Sequence, residues 1–236
     1  MSDVELIVIM PVYNEETGLE RVVTEWLRAF SHLNVKHRVL AINDGSTDSS
    51  LSILNKLQSQ FPEVLLVSNK SNSGHGRTCR VGYEWALAQG APWIFQIDSD
   101  GQCDPGFFAE FWSNRPRADC IFGMRIMRED GLPRKLVSTF CRLLIMISTG
   151  QDLGDPNVPY RLIERNTLEK ALACVPAEFD LQNIALALAL KRDPSVRWQY
   201  VPIRFRLPNH GQRRIGLLKI VQRGFQMLIQ LHTVKG

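Results

Sequence analysis

The stretch Trp93-Ile94-Phe95-Gln96-Ile97-Asp98-Ser99-Asp100-Gly101-Gln102 ends an apolar run in two carboxylates one residue apart. A buried strand over Trp93 to Ile97 would deliver Asp98 and Asp100 to its C-terminal edge, where α/β sheets bind their ligands. Such a pair suits a divalent cation bridging to a diphosphate, since magnesium typically takes one or two carboxylates together with substrate phosphates. The plain alternative is a chain reversal, because Asp, Ser and Gly all favour turns after strands. Taken alone, D-x-D reads as a turn. The segments upstream reverse that judgement.

Those segments alternate strand and helix. Leu6 to Met10 is a short apolar run ended by Pro11, which predicts a buried strand. Glu15 to Phe30 has helical spacing, with Leu19, Val22, Val23, Trp26, Leu27 and Phe30 on one face. Arg38 to Ile42 predicts a second strand, and Thr47 or Asp48 can cap a helix running to about Ser59. Val64 to Val67 predicts a third strand. The loop Asn72-Ser73-Gly74-His75-Gly76 then leads into a helix over Arg77 to Gln89. The alternation predicts an α/β fold with a mostly parallel central sheet and helices on both faces.

Beyond Gln102 the order changes. Pro105 opens a short helix, and Ala118 to Phe122, Tyr160 to Ile163 and Trp198 to Phe205 read as strands. Pro133 to Ser148, Thr167 to Val175, Phe179 to Leu190 and Arg214 to His232 read as helices, the last of them basic and amphipathic. With no internal repeat and no low-complexity linker, residues 1–236 read as a single domain.

The composition, 44% apolar and 22% charged, is that of an ordinary globular chain. Cysteines 79, 103, 120, 141 and 174 form no C-x-x-C and are odd in number, so a reduced, cytoplasmic compartment is expected. The N-terminus carries no basic leader, and no run reaches the roughly 18 apolar residues that span a bilayer. Charge is uneven. After Asp193 there is no acidic side chain but eight Lys or Arg, so the first 193 residues sum to −4 although the whole chain is +4. A basic end points to a polyanion (membrane lipid, nucleic acid or a phosphorylated substrate), against the plain reading of a solvated face. It lacks interleaved aromatics, and no nucleic acid partner is expected.

Four polar clusters end the first four predicted strands: Pro11-Val12-Tyr13-Asn14-Glu15, Asn43-Asp44-Gly45-Ser46-Thr47-Asp48, Asn72-x-Gly74-x-Gly76 and Asp98-x-Asp100-x-Gln102. In a parallel sheet these ends share one edge and line one crevice, whose aromatic, carboxylate and backbone donor groups suit a nucleotide diphosphate. A dinucleotide fingerprint is excluded, because the glycines follow the third strand and Gly82 comes too late. A Walker loop is absent.

As an ordered set at these spacings, P-V-Y-N-E, N-D-G-S-T-D, N-x-G-x-G and D-S-D-G-Q resemble family 2 glycosyltransferases of the GT-A fold. The closest similarity is to the polyprenyl-phosphate subgroup, typified by dolichol-phosphate mannose synthases, and it covers Leu6 to about Ile220. The resemblance implies a nucleotide-sugar-binding half over 1–104 and an acceptor-binding half over 105–236. It implies that Pro11, Tyr13, Asn14 and Glu15 border the nucleoside, that Asp44 contacts its base or ribose, and that Ser46 and Gly76 belong to the same substrate site. Asp98, Asp100 and Gln102 would hold Mg2+ or Mn2+ and the donor diphosphate. Arg125 and Arg134 resemble the subgroup's arginines that receive the acceptor phosphate, for which guanidinium forks are well matched.

Asp155-Pro-Asn-Val-Pro-Tyr-Arg161-Leu-Ile resembles the subgroup's D-x-x-x-x-[FY]-R-L segment, which implies that Asp155 approaches the acceptor and Arg161 supports it; a turn aspartate before Pro156 is the plain alternative. Phe205-Arg206 and Gly211, ahead of Lys219-Ile220, also match, whereas Pro208 stands where related chains commonly carry a second arginine. The expected reaction is a metal-dependent inverting sugar transfer from a nucleotide-diphosphate sugar to a polyprenyl phosphate, with Asp98, Asp100, Arg125, Arg134 and Asp155 as the catalytic set. Two alternatives stay open. One is a polysaccharide or O-antigen glycosyltransferase acting on a glycan hydroxyl with Asp155 or Asp180 as base; the other is a nucleotide-sugar-binding protein without turnover. The subgroup's longer members continue into transmembrane helices. Here the basic amphipathic segment 214–232 suggests peripheral contact with the inner face of a membrane, or else an apolar face packed on the sheet.

Overall fold

Seven strands form one sheet: β1 (Leu6–Val12), β2 (His37–Asn43), β3 (Val64–Ser68), β4 (Trp93–Ile97), β5 (Cys120–Met127), β6 (Tyr160–Glu164) and β7 (Trp198–Arg204). Their order is β3-β2-β1-β4-β6-β5-β7. The structure, a computed structural model, describes residues 4–127, 146, 149–177, 179 and 181–207. The expected helix over Pro133 to Ser148 (with Arg134), the helix over 214–232, Asp180 and Gly211 therefore lie outside the described residues, apart from Met146. No helix among the described residues is long and apolar enough to cross a membrane.

β1 pairs in parallel with both β2 and β4, and β2 with β3. β6 runs antiparallel to its neighbours β4 and β5, while β5 and β7 are parallel. Every residue of β1 is buried, as expected of a strand covered on both faces. The helices are α1 (Leu19–His32), α2 (Ser50–Gln60), α3 (His75–Gln89), α4 (Phe108–Asn114, entered through a 3-10 turn at Pro105–Phe107), α5 (Arg165–Ala173) and α6 (Gln182–Arg192).

Alternation along the strands sorts the core into two layers. On one face, Trp26 and Phe30 of α1 meet Phe95 of β4, Phe108 of α4 and Tyr160 of β6, and Phe111 of α4 packs on Phe95 and Tyr160. Ring centroids lie 5.5 Å apart for Trp26–Phe95, 5.0 Å for Phe95–Tyr160 and 4.6 Å for Phe111–Tyr160. On the other face lie α3 and α6. Gly82 lets α3 settle onto the sheet, since a Cβ there would fall 2.6 Å from Ile42 Cδ1 and 3.1 Å from Ile9 Cβ.

Three boundaries differ from the sequence expectation, each for a local reason. α1 begins at Leu19 rather than Glu15, because the Asn14, Glu15 and Glu16 N–H groups bond to Ser46, Ser50 and Asp48 of the next loop. α2 begins at Ser50, with the Asp48 carboxylate accepting from the Ser50 N–H. β5 runs on to Met127, beyond the apolar run that announced it, because Gly123 to Arg125 continue to pair with Val201 to Ile203. A side chain at 123 would strike Ile203 Cδ1 at 2.4 Å, so glycine is what permits this extension.

Gly45 and Gly90 both have left-handed backbones, at φ +68 and +80, but a Cβ at Gly45 would lie 2.5 Å from the Ser71 carbonyl carbon whereas one at Gly90 meets nothing within 4 Å. Gly90→Ala should therefore cost only the αL strain, about 1 kcal/mol. Gly45→Ala adds a backbone clash and should cost about 3 kcal/mol or more. In thermal unfolding, Gly45→Ala should melt at least about 5 °C below Gly90→Ala; equal melting temperatures would show that the loop relaxes freely.

Candidate active site

β1 and β4 are neighbours whose following strands lie on opposite sides, and this reversal opens a crevice at their C-terminal ends. The crevice is stitched from the loop after β1. Asn14, at φ 56, donates its N–H to Ser46 Oγ at 3.1 Å and accepts the Thr47 N–H on its side chain at 2.8 Å. The Glu15 N–H reaches Ser50 Oγ at 2.9 Å. Asn14 and Ser46 are thus spent on holding two loops together, and this fixes where Tyr13 and Glu15, both half-buried, sit beside them. Pro11 is buried at the end of β1, its carbonyl accepting from Ser99 Oγ at 2.8 Å. That bond ties the β1 loop to the paired-carboxylate turn.

Asp44 directly follows β2 and is almost fully buried. Its Oδ1 accepts from Asn69 Nδ2, the Ser73 N–H and Ser73 Oγ at 3.0, 2.9 and 2.7 Å, and its Oδ2 from the Gly74 N–H at 3.0 Å. Burial pushes its pKa up, but these donors outweigh burial and leave it below the ordinary carboxylate value. Asp44 is therefore an ionised anchor for residues 69–74, the segment that launches α3. Oδ2, with one accepted bond, keeps capacity for a ligand donor. Gly76 lies in the first turn of α3, where backbone N–H groups lack helical partners and favour anions.

Asp98 and Asp100 leave β4 in a turn closed by Gly101 at φ +80 and by a 3.0 Å bond from the Gln102 N–H to Asp100 Oδ1. Asp98 Oδ1 is buried and has no hydrogen-bond partner among the described residues. His75, at the start of α3, is the near cation, with its Nε2 3.8 Å away and too far for a hydrogen bond. Burial raises the Asp98 pKa, against the opposing pull of His75, Arg161 and Arg125. Burial and then the Asp98 charge push Asp100 up to about 6. Two crowded carboxylates, one with an orphaned buried oxygen, are a donor set that a divalent cation would satisfy. Asp98, Asp100 and Gln102 fit such an ion.

Across the sheet, β6 runs antiparallel and so begins at the edge where β5 ends, which brings Asp155 to Arg125. The pair is bidentate: Nε–Oδ2 2.5 Å and Nη2–Oδ1 2.7 Å. Arg161, one residue into β6, is wholly buried and lies behind this pair. Its guanidinium donates to the carbonyls of Val158 (2.7 Å), Asn183 (3.0 Å) and Pro156 (2.5 Å) and lies 4.8 Å from the Phe122 ring. It pins the Asp155–Val158 turn and faces no open surface.

Sequence reasoning passed over three contributors. His75, with Nε2 3.4 Å from Cys79 Sγ and 3.3 Å from Asn183 Nδ2, and Asn183 itself were read only as loop and helix residues. A histidine directly after Gly74 was the available signal. Arg206 matched a subgroup motif but received no role. It bridges Glu25 of α1 and Asp104 at 2.6 and 2.8 Å.

The chain is 27% identical over 168 residues to the undecaprenyl-phosphate 4-deoxy-4-formamido-L-arabinose transferase of Photorhabdus laumondii and 29% identical to that of Salmonella choleraesuis. These alignments take in 71% of the chain but 51% of each relative, so the chain matches about half the length of the relatives. Among solved structures, glucosyl-3-phosphoglycerate synthase from Mycobacterium tuberculosis, in complex with Mn2+, uridine diphosphate and phosphoglyceric acid, superposes with a TM-score of 0.67 at 18% identity, covering 97% of this chain and 78% of that one. Mannosyl-3-phosphoglycerate synthase from Rubrobacter xylanophilus gives 0.64 at 12%, covering 97% and 73%. At such identities the likeness speaks for the fold, which is GT-A. The model of glycosyl transferase family 2 matches residues 7–172, from the first strand through the Asp155–Arg161 segment into α5, and the chain belongs to that family.

Proposed function

We propose that the protein transfers a sugar, with inversion, from a nucleotide-diphosphate sugar to a polyprenyl phosphate. One observation carries the reading: the Asp98–Asp100 turn, with its orphaned buried oxygen, and the Arg125–Asp155 pair open at the same end of the sheet. A cation-hungry turn is suited to a donor diphosphate, and a guanidinium near it to a second phosphate. The family membership and the names of the undecaprenyl-phosphate transferases support the same assignment.

Pro11, Tyr13, Asn14, Glu15, Asp44, Ser46 and Gly76 border the nucleoside and its diphosphate, with Asn14 and Ser46 acting through the loops they join. Mg2+ or Mn2+ held by Asp98, Asp100 and Gln102 would neutralise charge on the departing nucleotide diphosphate. Arg125, and Arg134 from its place in the sequence, take the acceptor phosphate. Arg161 keeps the turn bearing Asp155 in place. Because a phosphate acceptor is already an anion, positioning and charge compensation suffice and no strong base is required.

The Arg125–Asp155 pair also weighs against a hydroxyl acceptor. Both Asp155 oxygens accept from Arg125, so Asp155 as general base would first have to give up that pair. The basic segment 214–232 would hold the protein to an anionic membrane face, at about 1 kcal/mol per Lys or Arg close to the surface.

Three measurements test this reading. Asp100→Ala should lower transfer to a short-chain polyprenyl phosphate by at least about 100-fold with the melting temperature little changed, and excess chelator should do the same to the native protein; full activity in either case removes the metal role. Arg125→Ala should lower kcat/KM for the lipid phosphate by about 100-fold while the donor KM moves less than about threefold. Unaltered acceptor kinetics would favour the hydroxyl-acceptor enzyme. Finally, the protein should float with vesicles containing phosphatidylglycerol, less so as salt rises, and not with phosphatidylcholine alone. Equal flotation on both would exclude the electrostatic contact.

A further inference from the structure

The donor turn is held from two sides, and the proposed chemistry uses only one of them. On the β1 side Ser99 Oγ bonds the Pro11 carbonyl. On the far side the chain leaving β7 crosses the turn. The Arg206 N–H donates to the Gln102 carbonyl at 2.9 Å, and Gln102 Nε2 reaches back to the Arg206 carbonyl at 3.5 Å. Cys103 and Phe205 form an antiparallel bridge beside them. Gln102 also donates its own N–H, in the preceding peptide plane, to Asp100 Oδ1 at 3.0 Å. The orientation of the Asp100 carboxylate is therefore set by a residue that residue 206 in turn holds.

The Arg206 side chain makes this crossing rigid. One guanidinium nitrogen meets Glu25 Oε2 of α1 at 2.6 Å and another meets Asp104 Oδ1 at 2.8 Å. Asp104 also accepts the Gly106 N–H and, through its carbonyl, the Tyr160 hydroxyl. Glu25 is fixed a second time by Arg21. A single planar fork thus spans two carboxylates on different elements, which a point-charge ammonium cannot do with both arms. Exposed pairs of this kind add little to stability. A role in geometry is the better use of the fork.

We propose that Arg206 is a positioning residue for the donor metal site: it clasps the segment after β7 over residues 102–104 and so fixes the Asp100 carboxylate through the backbone of Gln102, whose carbonyl and N–H bond the two sides. This rests on the metal-dependent reading above. Groups that orient metal ligands typically contribute 10- to 100-fold in metal affinity, and Arg206, acting one bond further out, should contribute about tenfold.

The test is Mn2+ alone, titrated into the full chain and followed by the paramagnetic resonance of the free ion, beside thermal unfolding. Wild type should bind and Asp100→Ala should not. Arg206→Ala should bind about tenfold more weakly while melting within a few degrees of wild type, and Arg206→Lys should recover part of the loss. If Arg206→Ala does not fold, Asp104→Asn and Glu25→Gln each break one arm, and Asp104→Asn, next to the turn, should weaken Mn2+ the more. Wild-type Mn2+ affinity in Arg206→Ala, or in both single-arm variants, overturns the positioning role while leaving the metal reading intact. Absence of Mn2+ binding in wild type overturns the metal reading and this proposal with it.

Discussion

Parallel strands cannot be joined by hairpins, so each connection must carry the chain from the edge where one strand ends back to the edge where it began, and all such strands then end at one edge. All strands but β6 run the same way here, and the constraint acts on both halves of the molecule. β1, β2 and β4 each release a polar loop at one edge, and β5 and β7 release Arg125 and Arg206 at that same edge. β6, inserted against the grain, starts there instead of ending there, and so contributes Asp155 from its entry side. One reversed strand is the reason the two halves of the site face each other.

Around Asp98, unlike at the Arg125–Asp155 pair, charge is balanced by placement rather than by a direct bond. Arg161 is buried with carbonyl oxygens as partners, yet close enough to favour the ionised form of Asp98. Neutral carbonyl oxygens, three of the backbone and that of the Asn183 side chain, take up its N–H groups without cancelling the charge, so the guanidinium field still reaches Asp98. Removing that side chain would leave carbonyl oxygens of the 156–158 turn without these donors, and an unsatisfied buried acceptor commonly costs about 1–3 kcal/mol. The turn over 155–158, the start of α6 and the carboxylate at the end of β4 all depend on this one side chain.

Much of the architecture is legible in the sequence because the first half is redundant in its signals. The apolar run of β4, its flanking aspartates and the earlier strand-end loops all point to one parallel sheet, and the helical face of α1 is read correctly to the residue. The second half is less legible because its strands are specified by partners far away in sequence. β5 is extended by pairing with β7, some 75 residues on, and the alternation of Met124, Arg125 and Ile126 carries no apolar run. In the site, residue types showed which groups bear charge, not which are already engaged. Asn14 and Ser46 bind each other's loops, Asp44 anchors the start of α3, and Arg161 faces carbonyls. Such partnerships are set by tertiary geometry, and no spacing in the chain announces them.

The same polarity has a corollary at the opposite edge of the sheet. There the chain passes through residues 33–36, 61–63, 90–92, 115–119 and 193–197, where charged groups pair locally, as Arg197 does with Asp119. None of the groups assigned to the site lies on these connections. Drift in length, appended sequence or immobilisation on a support is best tolerated in such exposed joints. Among the described residues the candidate site gathers at one edge of the sheet, and the opposite edge, turned away from it, is where evolution or an engineer can build.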